Sequence, residues 1–153
     1  MTDFVPDDFA PPSGLDHAAF LLRPLGPEHN DDDYAAWTSS VDHILATPGF
    51  AAASWPHPMT PEQNLADLAQ HAGDFAARRG FTYTVLNPAT GSVIGCVYIY
   101  SSESPEFDAR VRSWVRADDG ILDVVLYRAV MEWLGTAWPF ARVEYAARPA
   151  PRT

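Results

Sequence analysis

The chain of 153 residues is long enough for one domain with a hydrophobic core, and its 20 acidic and 10 basic residues give a net charge of −10. All ten basic residues are arginines, which excludes the lysine-dependent sites of P-loop proteins, Schiff-base enzymes and protein kinases. This charge also disfavours phosphate contacts, so we expect no nucleic-acid partner.

The charge is divided unevenly along the chain. Residues 1–76 carry 12 acidic residues and a single arginine, whereas residues 77–153 carry nine arginines and eight acidic residues. An acidic half favours a cationic small molecule or a basic peptide as ligand, although acidic residues that merely maintain solubility are the simpler interpretation.

The cysteine content and the hydropathy pattern indicate a cellular compartment. The single cysteine, Cys96, excludes an internal disulfide, and its apolar surroundings predict a small buried hydrophobe. No segment reaches the roughly 20 apolar residues of a membrane span, and the acidic N-terminus lacks the features of a signal peptide. We therefore expect a cytoplasmic protein with no membrane partner.

The first 18 residues predict an irregular acidic arm, because prolines and a glycine interrupt them. Phe4 and Phe9 are expected to dock onto the domain or onto a second subunit. The domain itself is expected to span residues 19–147, and residues 148–153 form a tail.

A strand over residues 19–25 opens the domain, followed by one helix from Tyr34 to about Leu45. A second helix begins at Thr60, where a threonine cap, a proline and Gln63 form the pattern of a capping box. It is expected to end at Arg78–Arg79, with Gly80 as the stop. Its predicted buried face is Leu65, Leu68, Ala69, Ala72, Phe75 and Ala76.

The spacing of the apolar residues then changes from the helical period of 3.6 residues to the strand period of 2. Residues 81–86 and 92–100 predict a hairpin whose second strand, apolar on both faces, is central in the sheet. Residues 109–116 predict a further strand, with three arginines and a tryptophan on one face. A helix over residues 122–137 and a strand over residues 142–147 complete the order β-α-α-β-β-β-α-β.

This order, with the segments FLLRPL, FTYTVLNPATGSVIGCVYIY and LYRAVMEWLGTAWPFARVEY, resembles the GNAT-type N-acetyltransferase superfamily over roughly Ala19 to Ala147. The resemblance implies one α/β (α+β) domain with a mixed, mostly antiparallel sheet flanked by helices. It also implies transfer of an acetyl group from acetyl-CoA to an amine.

In this family the pantetheine of acetyl-CoA pairs with the end of the strand 109–116, and the pyrophosphate lies at the N-terminus of the next helix. The resemblance thus implies that Val115, Arg116 and Gly120 bind the cofactor. Of the family's Arg/Gln-x-x-Gly-x-Gly/Ala loop, the sequence keeps the glycine at position 120.

The rest of that loop departs from the family pattern. Ala117 stands at the position of the Arg or Gln, and Leu122 at the position of the last small residue. Asp118 and Asp119 place carboxylates in the loop, and we interpret them as helix caps ahead of Leu122.

Glu103, Glu106 and Asp108, in the connector before the strand 109–116, are the candidate general bases. No residue matches the tyrosine that serves as general acid in the family. Four histidines recur every 14 residues but lie in different contexts without ligand spacing, so we expect no metal.

The leading hypothesis is an acetyl-CoA-dependent N-acetyltransferase that acts on a small or peptidic cationic amine. The alternative is a catalytically degenerate GNAT-like binding module or dimeric interaction module, for which a homodimer is expected. A third hypothesis is a cofactor-free domain that binds its ligand through the strand face of Arg110, Arg112, Trp114 and Arg116. A solvated or salt-bridged outer face is the simpler interpretation of these residues.

Overall fold

The structure, a computed structural model, describes residues 4–51 and 53–149 of the chain. Their strands form one mixed sheet: β1 (Leu15–Asp16), β2 (Leu21–Pro24), β3 (Gly80–Leu86), β4 (Val93–Tyr100), β5 (Ala109–Val115) and β6 (Val143–Tyr145). Its helices are α1 (Asn30–Thr38), α2 (Val41–Leu45), α3 (Pro61–Ala76) and α4 (Leu122–Ala137), with 3-10 turns at Pro27–His29 and Ala117–Asp119.

The strands lie side by side in chain order, antiparallel except for the parallel pair β5–β6. This confirms the predicted fold class, a single α/β (α+β) domain with a mostly antiparallel mixed sheet flanked by helices. The two-residue strand β1 lies within the arm that the prolines had predicted to be irregular.

Strand β4 is covered on both faces, as its sequence predicted. Val97 and Ile99 join the apolar cluster under α4, whereas Cys96 belongs to the cluster under α1 and α2. Cys96 is fully buried, and this burial raises the pKa of its thiol well above the usual range. The cysteine is therefore a core residue.

The N-terminal arm packs against the same chain. Phe4 stacks on Phe81 and Phe140, with ring centroids 5.9 and 5.4 Å apart, and Phe9 lies 5.3 Å from Trp138. Val5 between them is 2% exposed. The arm thus extends the apolar cluster under α4.

The single helix predicted from Tyr34 to Leu45 is wrong, because the chain turns at Ser39 and Ser40 between α1 and α2. The Ser39 hydroxyl bonds back to the carbonyl of Ala36, which competes with helix continuation. The buried Ser40 hydroxyl accepts a 2.9 Å hydrogen bond from the Ala117 N–H and holds this corner against the turn before α4.

Helix α3 begins as predicted and ends differently. The Gln63 N–H donates to Thr60 Oγ1 at 3.1 Å, and the Thr60 N–H donates to Gln63 Oε1 at 2.9 Å, which completes the capping box. At the other end Arg78, with φ of 63°, takes the left-handed conformation that the sequence assigned to Gly80. Gly80 instead opens β3, where a Cβ atom would lie 2.1 Å from the ring of Tyr100.

We predict that Gly80→Ala destabilises the domain by about 2 kcal/mol, because the new methyl group overlaps the Tyr100 ring. Urea unfolding measures the loss. Gly73→Ala is the control: it lies in α3 with open space around its Cβ position and should stabilise the domain by up to about 1 kcal/mol. Equal changes in unfolding free energy for the two variants would contradict the overlap with the Tyr100 ring.

Candidate functional site

A cavity of about 410 Å³ lies between α1, α3, the loop after α2 and the strands β4 and β5. Its wall combines aromatic rings, carboxylates, one histidine and one arginine. The chemically distinctive lining residues are Asp33, Phe50, Trp55, Asn64, Asp67, His71, Asp74, Tyr98, Tyr100 and Arg112. The volume is that of a small-molecule site.

Helix α3 contributes a polar face to this cavity. Asn64, Asp67, His71 and Asp74 follow one another at intervals of three or four residues and therefore lie on one side of the helix. The predicted burial of Leu65, Ala69 and Ala76 is wrong, since all three residues are exposed. The polar repeat was visible in the sequence and was missed because only apolar positions were assigned to the inner face.

A chain of hydrogen bonds joins α3 to β4. The Tyr100 hydroxyl donates to Asp74 Oδ2 at 3.0 Å, and Arg79 donates to Asp74 Oδ1 at 3.2 Å. Because the hydroxyl has a single proton, it accepts from His71 Nδ1, 2.8 Å away. Nδ1 also lies 3.2 Å from Thr82 Oγ1, and a protonated Nδ1 can donate to both oxygens, which leaves Nε2 as the acceptor nitrogen.

Burial determines the protonation of the groups in this chain. It lowers the pKa of His71, against the opposing fields of Asp67 and Asp74, so the ring is neutral at pH 7. The same cause raises the pKa of Tyr100 far above the physiological range, so its hydroxyl keeps its proton. His71 can therefore accept a proton at Nε2, while Tyr100 orients the ring.

Asp33 on α1 forms the opposite wall of the cavity. Its Oδ2 atom accepts a 3.1 Å hydrogen bond from Asn64, whose Oδ1 atom in turn accepts one from Trp37 Nε1 at 3.0 Å. Burial raises the pKa of Asp33 to about 6; the bond from Asn64 lowers it and the neighbouring Asp67 raises it further. Asp33 is thus a carboxylate at pH 7 that loses its charge in mild acid.

The predicted arginine face of β5 is interrupted. Trp114 is fully buried behind Trp55, with ring centroids 6.0 Å apart, and donates a 2.9 Å hydrogen bond to the Tyr98 hydroxyl. Arg110 is exposed, whereas Arg112 is half-buried on the cavity wall. A continuous anion-binding stripe is therefore wrong, because the aromatic loop after α2 covers the tryptophan.

The three candidate bases lie outside this cavity. Glu103 and Glu106 are exposed on the connector before β5, and neither belongs to the lining. Asp108 accepts hydrogen bonds from the Ala141 and Arg142 N–H groups at 2.7 and 2.9 Å, which hold the pKa of its carboxyl below the usual range. A catalytic role for these residues stays a prediction.

The residues implied for the cofactor lie at the turn between β5 and α4. Val115 is buried, and the Arg116 carbonyl accepts from the Asp119 N–H at 2.9 Å to close the 3-10 turn. At Gly120 a Cβ atom would lie 3.3 Å from His43. Their binding role likewise stays a prediction.

The predicted capping of α4 by Asp118 and Asp119 is wrong. The N-cap is Ile121, and no side chain accepts a hydrogen bond there. The two aspartates form the 3-10 turn instead, because the backbone of residues 116–120 is already curled before α4 begins.

An arginine fills the groove where β5 and β6 part. The two strands pair over Ala109–Val111 and Val143–Tyr145, so the later part of β5 has an open edge. On that edge Arg148 Nη2 donates to the Ser113 carbonyl at 2.9 Å, and Arg148 Nε donates to Asp123 Oδ2 at 2.7 Å.

Further bonds fix this arginine. Its Nη1 atom donates to the carbonyls of Ala146 and Pro48, at 2.8 and 3.2 Å. The side chain of Arg148 is 1% exposed, and that of Asp123 is 16% exposed. The guanidinium is therefore an internal component of the fold that links β5, α4 and the segment after β6.

These residues do not fit acetyl-CoA in the place implied by the resemblance. The strand edge expected to pair with pantetheine is occupied at Ser113 by Arg148. At the helix end expected to receive the pyrophosphate, the first turn of α4 carries Asp123, and the turn before it carries Asp118 and Asp119. Carboxylates at that end repel an anion.

No protein-family model matches the chain, and no curated protein matches it either. Solved structures do. A protein described as a ribosomal-protein-serine acetyltransferase, from Vibrio cholerae, superposes with a TM-score of 0.68 at 13% identity, covering 95% of this chain and 76% of its own.

Two further structures are similar. The ribosomal-protein-S5-alanine acetyltransferase from Vibrio fischeri has a TM-score of 0.61 at 17% identity, covering 81% of this chain and 68% of its own. A microcin C7 self-immunity acetyltransferase, in complex with acetyl-CoA and AMP, has a TM-score of 0.57 at 12% identity, with 84% and 71% covered. The chain therefore has the fold of the GNAT acetyltransferases, as the resemblance predicted.

Within residues 4–51 and 53–149, every helix is too short or too polar to span a lipid bilayer. Nor does this part contain a group of three or more His, Cys, Asp or Glu side chains arranged to hold a metal ion.

We predict that Asp33→Asn changes how stability depends on pH. The pKa of the Asp33 carboxyl rises from 3.8 in the unfolded chain to about 6 in the folded domain. Its contribution to folding stability is therefore fully present below pH 3.8 and is lost as the pH rises through 6. The stability of Asp33→Asn relative to wild type should therefore increase by about 1 kcal/mol from pH 5 to pH 8, measured by urea unfolding. The exposed Asp32→Asn is the control, and a flat difference for Asp33→Asn would contradict the shift.

Arg148→Met should cost about 3 kcal/mol of unfolding free energy, because it leaves the Asp123 carboxylate and the Ser113 carbonyl without their buried partner. Arg142→Met, at an exposed arginine near β6, should change stability by less than about 0.5 kcal/mol. Chemical unfolding of both variants gives the comparison. A loss for Arg148→Met as small as the one expected for Arg142→Met would contradict the structural role of the groove arginine.

Proposed function

We propose that the domain is a binding module for a small cationic amine, or for the amino end of a peptide, and that the cavity under α3 is its site. The observation that carries the proposal is the cavity wall, where carboxylates from α1 and α3 face aromatic rings from the loop after α2 and from β4. Ammonium groups bind well between these two kinds of group.

The charges of the wall favour a cation. Asp74 is paired with Arg79, whereas Asp33 and Asp67 form no ion pair within the described residues. At pH 7 both can balance an ammonium group, and Trp55 offers the face that attracts cations most strongly. Neutral His71 adds an acceptor nitrogen without adding positive charge.

The second candidate is acetyl-CoA-dependent N-acetylation of the same amine. The fold favours it, since the similar structures are acetyltransferases and one of them is a complex with acetyl-CoA. The groove favours binding without transfer, because Arg148 and Asp123 lie where the resemblance implies the cofactor. Two titrations separate these candidates.

Calorimetric titration with putrescine, cadaverine and tyramine should show binding to at least one of these amines at pH 7.5. Asp67→Asn should weaken that binding about tenfold or more, since it removes a carboxylate of the cavity wall. Glu132→Gln, an exposed acidic residue on α4, should leave it unchanged. The absence of binding to all three amines at 10 mM, or equal effects of the two variants, would overturn the amine site.

Titration with acetyl-CoA should give no binding at 1 mM, because the groove arginine would have to leave its buried bonds. In parallel, mass spectrometry should find no acetylated amine after incubation of acetyl-CoA and tyramine with the protein. Saturable acetyl-CoA binding together with acetylated tyramine would establish the second candidate in place of the first.

A further inference from the structure

Arg112 is the cation of the cavity wall, and it has no partner there. Within the described residues its guanidinium forms no hydrogen bond and no ion pair. It lies over the ring of Phe50, 5.4 Å from the centroid. This leaves the donor edge of the guanidinium for another group.

Two other arginines that are partly or fully buried have a counter-ion: Arg23 is paired with Asp16, and Arg148, whose side chain is 1% exposed, is paired with Asp123. Arg112 is half-buried, and this burial, with exposed Arg110 nearby, lowers the pKa of its guanidinium. Partial burial of a cation without a counter-ion costs free energy, which an anionic ligand would recover.

The position of Arg112 relative to the carboxylates determines where the charges of a ligand would lie in the cavity. Arg112 enters the cavity from β5, whereas Asp33 and Asp67 enter from α1 and α3. The charges of Arg112 and Asp67 both act on His71, since Arg112 lowers the pKa of the histidine and Asp67 raises it. One ligand in the cavity can therefore meet a positive group on one wall and negative groups on another.

We infer that the ligand carries an oxyanion as well as its ammonium group, with the oxyanion on Arg112 and the ammonium group between Asp33 and Asp67. This inference rests on the proposed function and narrows its ligand class. A planar guanidinium binds a carboxylate or a phosphate through two parallel hydrogen bonds, so amino acids and phosphorylated amines share the required chemistry.

Arg112 also borders a second cavity of about 310 Å³, lined by Arg110, Val143 and Glu144. Gly49, with φ of 101°, lies beside the stem of Arg112, where a Cβ atom would be 3.6 Å from Cγ. The guanidinium is therefore held in place by the packing of its stem and by the ring of Phe50. It keeps this position without a counter-ion from the protein, which leaves it available to a ligand.

Matched pairs of ligands test the inference. Lysine and cadaverine, ornithine and putrescine, and phosphoethanolamine and ethanolamine differ within each pair by one oxyanion. In calorimetric titrations of the full chain, at least one anionic member should bind about tenfold or more tightly than its partner. The first two pairs report a carboxylate preference and the third a phosphate preference.

Arg112→Gln should abolish the preference by weakening the anionic members about tenfold, whereas the plain amines should bind at least as tightly as to the wild type, because the substitution removes a positive charge from the cavity wall. Arg110→Gln, at the exposed neighbour on the same strand face, should retain it. Arg112→Lys keeps the charge without the planar fork and should reduce the preference. If Arg112→Gln fails to fold, the inference is tested by Arg112→Lys and by the matched ligand pairs titrated into the wild-type protein.

The outcomes separate this inference from the proposed function. Plain amines that bind as tightly as their anionic partners, or a preference that survives Arg112→Gln, would overturn the inference and leave the amine site intact. No binding by any member of the three pairs, or by tyramine, would overturn both.

Discussion

Hydroxyl groups on one face of β4 need hydrogen-bond partners beneath the helices that cover them, and the cavity is arranged around this requirement. Tyr100 is satisfied by His71 and Asp74, and Tyr98 by the indole of Trp114. Helix α3 therefore turns a polar face inward, which leaves carboxylates in a largely aromatic space. The cation preference proposed for the site follows from how the sheet satisfies its own polar groups.

On the other side of the domain, one strand edge of an acetyltransferase fold is satisfied by the chain itself. Beyond three residue pairs β5 and β6 part, and the Ser113 carbonyl on the open edge of β5 is satisfied from within by Arg148. A backbone edge satisfied by a side chain no longer needs a ligand. Fold and function therefore have to be argued from different residues in this protein.

Sequence patterns were sufficient where one local rule governed the structure. The alternation of β5, the two apolar faces of β4 and the capping box at Thr60 each have a single physical cause, and each was predicted. The break at Ser40 and the groove arginine at Arg148 depend on partners far away in the chain, Ala117 and Asp123. The cavity was missed for a different reason, since the inner face of α3 follows the polar repeat that ends at Asp74.

The docked N-terminal arm bears on the order in which the chain can fold. Phe4 contacts Phe140 and Phe9 contacts Trp138, so most of the domain separates the two partners of each pair along the chain. Contacts between such distant segments slow folding, because a long loop must close before they form. On the ribosome, the arm must wait with its apolar rings uncovered until the segment after α4 has emerged. Completion of this core is therefore a late event in the folding of this domain.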